Sequence, residues 1–174
     1  MSEEKTEPWL NWLALTTLVL AAASTLASYK GGGYDGTAMM EQNMASDQWA
    51  YYQAKSIKQY TYEQQCEALK LQALQATEAV QAKYKETIDR YSKEVDRYNT
   101  EKADIEKLAR QHEQTKAISQ RYSSNFGLAV VYLQVSIMLA AVAALIKKPI
   151  LWIVGFVPGL IGLAYFANGF FLFF

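Results

Sequence analysis

Three long stretches of this chain, residues 9–29, 127–146 and 150–174, contain no Asp, Glu, Lys, Arg or His. All 17 basic and all 17 acidic residues lie outside them. A helix crossing a hydrocarbon core of roughly 30 Å needs about 20 apolar residues at about 1.5 Å rise each. Each stretch reaches that length. A water-soluble core in 174 residues could enclose one such helix, but three call for a bilayer. The expected fold class is an all-α membrane protein with three transmembrane helices.

The residues between the first and second spans are a different material. Residues 30–36 hold Gly31, Gly32, Gly33 and Gly36, a composition expected to break a helix and act as a flexible joint. From Thr37, a candidate N-cap, through Phe126 there is neither Gly nor Pro, and Ala, Gln, Glu, Lys and Leu dominate. All of these favour helix. A seven-residue repeat runs through YKETIDR, YSKEVDR and YNTEKAD, starting at Tyr84, Tyr91 and Tyr98. It aligns Tyr84, Ile88, Tyr91, Val95, Tyr98 and Ile105 as a coiled-coil seam, interrupted by Lys102. Opposite charges four residues apart, such as Arg97 with Glu101 and Glu106 with Arg110, mark the remaining faces as solvated.

Membrane geometry then constrains residues 37–126. As one rod they would extend about 135 Å, yet the chain must leave and re-enter the bilayer on one side. A helix lying flat on the membrane would need a wide apolar stripe with basic flanks. This seam is narrow, Tyr-rich and flanked by both signs. The expected solution is a long antiparallel helical hairpin of about 65 Å, with its turn between Gln75 and Lys83.

The chain therefore divides into a short acidic tail (1–8), transmembrane helix 1 (9–29), the Gly-rich joint (30–36) and the helical hairpin (37–126). Transmembrane helix 2 (127–146), a basic tight turn (147–149) and transmembrane helix 3 (150–174) follow. Trp9 and Trp12 mark one interface of the first span, and Tyr29 with Lys30 the other. Leu26, Ala27 and Ser28 resemble a signal-peptide cleavage region, but the leader is acidic rather than basic, so a retained anchor is expected. Ser123, Ser124 and Asn125 form a soft junction into the second span, and Pro158 is expected to kink the third. Gly155, Gly159 and Gly162 share one face of that third span, and Ser136, Ala140 and Ala144 offer a matching row on the second. Small residues of this kind let helix backbones approach closely where lipid supplies no hydrophobic drive.

At residues 45–58 the chain reads ASDQWAYYQAKSIK. This block resembles the signature of a bacterial membrane family known as domain of unknown function 4337. Its place shortly after an N-terminal anchor, with two spans at the other end of the chain, fits the same family. The resemblance implies a bacterial membrane protein and carries over no activity or catalytic residue.

Within the block, Trp49, Tyr52, Ser56 and Tyr60 share one helical face, and Tyr51, Lys55 and Lys58 another. The first face is expected to pack on the other arm or a neighbouring subunit. Trp49, Tyr51, Tyr52, Lys55 and Lys58 also make a candidate interaction surface for a partner protein or lipid headgroup, and a small-molecule pocket is the third reading. His112 falls in register with the seam, as a packed histidine or a pH-sensitive one. Cys66, the single cysteine, is expected as a small apolar residue in a helix interface. Gln134, deep in the second span, is expected to hydrogen-bond across helices.

Several function classes are disfavoured. Residues 30–126 carry equal numbers of basic and acidic side chains, so no nucleic-acid partner is expected. Spans without ionisable groups disfavour proton- or sodium-coupled transport. Phosphate-binding, zinc-protease and hydrolase motifs are missing from the sequence, so neither enzymatic activity nor a cofactor or metal is expected. The leading expectation is a non-enzymatic structural or interaction protein in contact with membrane lipids. It is expected to form a homo-oligomer through the Gly and Ala faces and the Tyr seam, or to serve as accessory subunit of a larger membrane complex. An oligomeric channel or passive pore is the alternative. Lys147 and Lys148 in the short loop place that loop in the cytoplasm of a bacterial inner-membrane protein, and the hairpin on the periplasmic side.

Overall fold

A computed structural model describes residues 8–173. The acidic tail, apart from Pro8, and the terminal Phe174 lie outside the described residues. Three helices account for nearly all of the rest: α1 (Pro8–Ala73), α2 (Glu78–Ile146) and α3 (Pro149–Phe171). All three are long and apolar enough to cross a membrane.

The glycine segment expected to be a joint is helical. α1 passes through Gly31, Gly32, Gly33 and Gly36 without a break, and no described glycine has a positive φ. Each interior glycine costs about 1 kcal/mol against alanine, which weakens a helix but does not stop one held by neighbours. Thr37 accordingly caps nothing. Its Oγ1 donates back to the Gly33 carbonyl at 3.1 Å, inside the helix. Ser123, Ser124 and Asn125 likewise lie within unbroken α2, and α3 continues through Pro158.

The first turn occupies residues 74–77, at the start of the expected window. Ala76 N–H bonds to the Ala73 carbonyl at 3.3 Å, and the N–H groups of Val80 and Gln81 both reach the Thr77 carbonyl at 2.9 Å. No glycine is needed there. The second turn puts Lys147 in the left-handed region at φ 55°, followed by extended Lys148 and then Pro149 at the first helical position. Proline suits that position because its missing N–H would have no helical partner.

The chain forms two compact units, residues 1–39 with 116–174, and residues 40–115. In the first, α1 and α2 run antiparallel: Leu13 packs with Ala140 and Ala143, and Ala27 with Phe126 and Ala129. α3 closes this bundle along a row of glycines. In the second unit the two arms are again antiparallel, with Glu41 beside His112, Lys55 beside Glu101 and Cys66 beside Ile88.

Candidate interaction surfaces

The bundle of the first unit is packed inside out by the standard of a soluble protein. Most of its buried positions are small, among them Ala23, Ser24, Ala27, Ala129, Ser136, Ala140, Gly155, Gly159 and Gly162, with Leu13, Phe126, Leu133 and Asn168 as the larger exceptions. Large apolar side chains point away, among them Trp12 at 62% exposure, Leu18 at 67% and Val157 at 63%. Of the two rows of small residues that the sequence presents as a packing pair, Ser136 lies against Gly155 and Gly159, Gly162 meets Leu133 instead, and Ala140 and Ala144 lie in the cluster with Leu13. Ser136 Oγ donates to the Gly155 carbonyl at 2.7 Å, and a methyl group on Gly159 would sit 2.9 Å from that Oγ. Ala140 is buried, and Ala144 packs against the Leu13–Ala143 cluster. The glycine row of α3 thus lies against Ser136, Leu139 and Leu133 of α2 in the same chain. A connection of so few residues gives α3 a far higher effective concentration at α2 than a separate molecule has.

Two features of this bundle go beyond the residues singled out from the sequence. Gly169 continues the row Gly155–Gly162 at a spacing of seven, and its Cβ position lies 2.7 Å from the Phe126 ring. That spacing is a signal the sequence does carry. Asn168 is fully buried and donates to Asn125 Oδ1 at 3.0 Å, while Asn125 Nδ2 donates to the Arg121 carbonyl. Gln134, by contrast, is exposed, and its side chain makes no hydrogen bond to another described residue.

In the second unit the Tyr seam faces the chain's own α1. Tyr62 meets Tyr91 edge-on at 5.2 Å and stacks on Tyr98 at 5.9 Å. Tyr98 and Ile105 are each 6% exposed, while Tyr84, Ile88, Tyr91 and Val95 are half-buried. Cys66 is buried, its Sγ 3.8 Å from the Ile88 carbonyl. A heptad stripe requires a partner helix but does not say whose. Here the preceding arm of the same chain lies against the seam.

The Trp49 block is divided between two environments. Trp49 Nε1 donates to Glu113 Oε1 at 2.9 Å, with Tyr52 edge-on to its ring and the Arg110 guanidinium 5.8 Å from it. Lys102 lies 5.2 Å from the Tyr52 ring, and Lys55 Nζ pairs with Glu101 Oε2 at 2.6 Å. These side chains bind the two arms together. Tyr51, 51% exposed, and Lys58 remain on the surface. His112 Nδ1 lies 2.6 Å from Glu41 Oε2, so the histidine too is part of the inter-arm contact. What the surface can do chemically is ion pairing and cation–π contact, worth little singly where solvent reaches.

The Lys55–Glu101 pair gives this unit a pH signature. Its hydrogen bond to Glu101, with the Tyr51 side chain close by, holds the Lys55 ammonium above its ordinary value. The same bond to Lys55 holds the Glu101 carboxylate below its own. Glu101 thus contributes stability fully above the ordinary carboxylate value of about 4.3, and loses it as pH falls through the lowered value. Lys55 contributes fully below about 10.4 and loses it as pH rises through the raised value. The protection factors of residues 40–73, measured against the intrinsic exchange rate at each pH, are therefore expected to fall below about pH 4. Glu101→Gln is expected to start less protected at pH 7 and change less on acidification. An unchanged acid profile in that variant would show that the pair does not hold the arms.

The family model described as Domain of unknown function (DUF4337) matches residues 9–172, nearly the whole chain. Neither the curated proteins nor the solved structures provide a match.

Proposed function

Because the chain belongs to the DUF4337 family of unknown function, we propose from its architecture that it is a non-enzymatic integral membrane protein of the bacterial inner membrane. Its work is structural: residues 9–29, 127–146 and 150–174 anchor it, and residues 37–126 form a helical hairpin on the periplasmic side. It acts as a homo-oligomer or as accessory subunit of a larger membrane complex, with lipids as its constant contacts.

The observation that carries this reading is the inverted packing of the three apolar helices. Glycine, alanine and serine make up most of the interior, around Phe126 and Leu133, while Trp12, Leu18, Val157 and Leu160 face out. In water each such exposed side chain would forgo roughly 1.5–3 kcal/mol of burial. In hydrocarbon the arrangement is favourable, because association there rests on close packing of small residues. The Lys55–Glu101 ion pair and the His112–Glu41 contact between the arms of residues 40–115 support a scaffold role for that segment.

Alkaline-carbonate washing of native membranes followed by native mass spectrometry of the detergent-extracted chain tests the proposal. The chain is expected to stay with the membrane and to leave it as an oligomer or with a bound partner. Release by carbonate, or a monodisperse monomer without a copurifying protein, overturns it. For the orientation, Tyr60→Cys in a Cys66→Ser background places a thiol at an exposed site. Labelling by an impermeant maleimide in intact cells is expected, and labelling only after lysis reverses the assignment.

A further inference from the structure

At one end of the bundle a basic patch adjoins an apolar groove. Lys147 and Lys148 form the turn between α2 and α3, and both are exposed. Asp35 is the one acidic residue among the described residues of this unit, and it lies beside Ser123 and Gly127, toward the other end. α3 starts at the turn with no side-chain cap at Lys148 and no acidic residue in its first turn, so the helix dipole adds to the positive charge.

A groove of about 250 Å³ runs between α1 and α3. Trp12, Leu15 and Val19 form one wall, Phe156 and Leu160 the other, and Gly159 adds no side chain to fill it. Thr16 brings the one hydroxyl to the lining. That Oγ1 donates to the Leu13 carbonyl at 2.9 Å and accepts from Trp152 Nε1 at 3.1 Å, so the groove suits an apolar guest. Pockets for drug-sized ligands hold roughly 300–1,000 Å³, which makes this one the size for a single extended chain. At about 1.5 Å rise per residue, Trp152 stands about 6 Å and Phe156 about 12 Å from Lys148 along α3. The headgroup layer on each side of a bilayer is roughly 5–7 Å thick. With Lys148 at the outer edge of that layer, Trp152 falls at its inner boundary, where belt residues sit, and Phe156 falls in hydrocarbon.

We infer that one anionic phospholipid binds at this end of the bundle, its phosphate against Lys147 and Lys148 and one acyl chain in the groove between α1 and α3. Charge complementarity selects this occupant. A second copy docking here in the same membrane orientation would bring its own Lys147 and Lys148 to the same depth, where like charges oppose the contact. A zwitterionic lipid fits the groove but presents no net charge to the lysines. Lysines near a membrane surface attract anionic lipids, and basic sites between helices on the cytoplasmic side suit their headgroups. The inference rests on the membrane-spanning reading above, in which this turn is cytoplasmic, and it names the lipid class and the residues that hold it.

The test uses the full chain in mild detergent, titrated with phosphatidylglycerol or with phosphatidylcholine of the same acyl chains and read by native mass spectrometry. One phosphatidylglycerol is expected to bind about tenfold tighter than phosphatidylcholine. Lys147→Gln combined with Lys148→Gln is expected to erase that preference, whereas Lys30→Gln toward the other end should keep it. Val19→Trp, which fills the groove from an exposed position, is expected to weaken both lipids by about tenfold. Thermal unfolding checks that each variant keeps its fold. Equal binding of the two lipids by the wild type overturns the inference, as does a preference that survives the double lysine variant or an affinity that Val19→Trp leaves unchanged. The competitor within the chain is the acidic run Glu3, Glu4 and Glu7, outside the described residues. A preference that emerges only when all three are replaced by Gln assigns the lysines to that run, which also overturns it. Release by carbonate removes this site together with the membrane reading, whereas a retained chain without lipid preference removes this site alone.

Discussion

Replacing Gly162 by leucine is expected to destroy the packing of α3 on α2 and to lower the melting temperature of the detergent-solubilised chain more than leucine at any exposed glycine. A Cβ at position 162 would lie 2.8 Å from Leu133 Cγ and 2.9 Å from the Leu133 backbone nitrogen. A side chain can rotate aside, but a backbone atom in the middle of α2 cannot. Overpacking that only displaces side chains costs about 1–3 kcal/mol, and here the helices must separate, so about 3 kcal/mol or more is expected. Insertion should survive, because each helix satisfies its own backbone in lipid. Gly33→Leu is the control, since nothing lies within 4 Å of its Cβ position. Equal melting of the two variants would refute the close approach.

Phe126→Ala is expected to be the other severe change, at about 3–5 kcal/mol. Phe126 is fully buried and is the largest side chain so enclosed among the described residues. Its ring meets Phe170 at 5.1 Å, Tyr34 at 6.1 Å and Phe166 at 6.2 Å. Gly31 and Gly169 close the remaining sides, with Cβ positions 3.0 Å and 2.7 Å from it. The absence of a side chain at these two positions admits the ring, which makes the prediction reciprocal. Gly169→Leu alone should destabilise the bundle, yet in the Phe126→Ala background it should refill the space and restore part of the loss. A double-mutant cycle with a coupling of roughly 1–3 kcal/mol is the expected result. Strict additivity of the two changes would show that ring and glycine do not share that space.

Particular residues show where the sequence was readable. The lengths of the uncharged stretches identified the three helices able to cross a membrane, because an unbroken apolar run of about 20 residues matches the thickness of a hydrocarbon core. The need to leave and re-enter lipid on one side implied an antiparallel return, and contacts such as Tyr62 with Tyr91 have that sense. Gly31 behaves differently from its expectation. Its glycine-rich surroundings suggest a joint, whereas its neighbour Phe126, far away in sequence, makes it a packing position inside a helix. Gln134 was expected to have a partner across helices, and within the chain it has none among the described residues.

The sequence by itself determined that the chain is helical outside its glycine segment, which stretches are apolar enough for lipid, and that the charged segment must return. Those properties are local or follow from chain connectivity, and composition with periodicity carries them. Only the tertiary structure decided which surface meets which: that the Tyr seam is buried against α1 of the same chain, and that the glycine row of α3 is filled by Ser136 and Leu133. A stripe of seam residues or glycines encodes a demand for a close neighbour without an address. Connectivity supplies the address, because a helix tethered by a short turn outcompetes any untethered one for the same face.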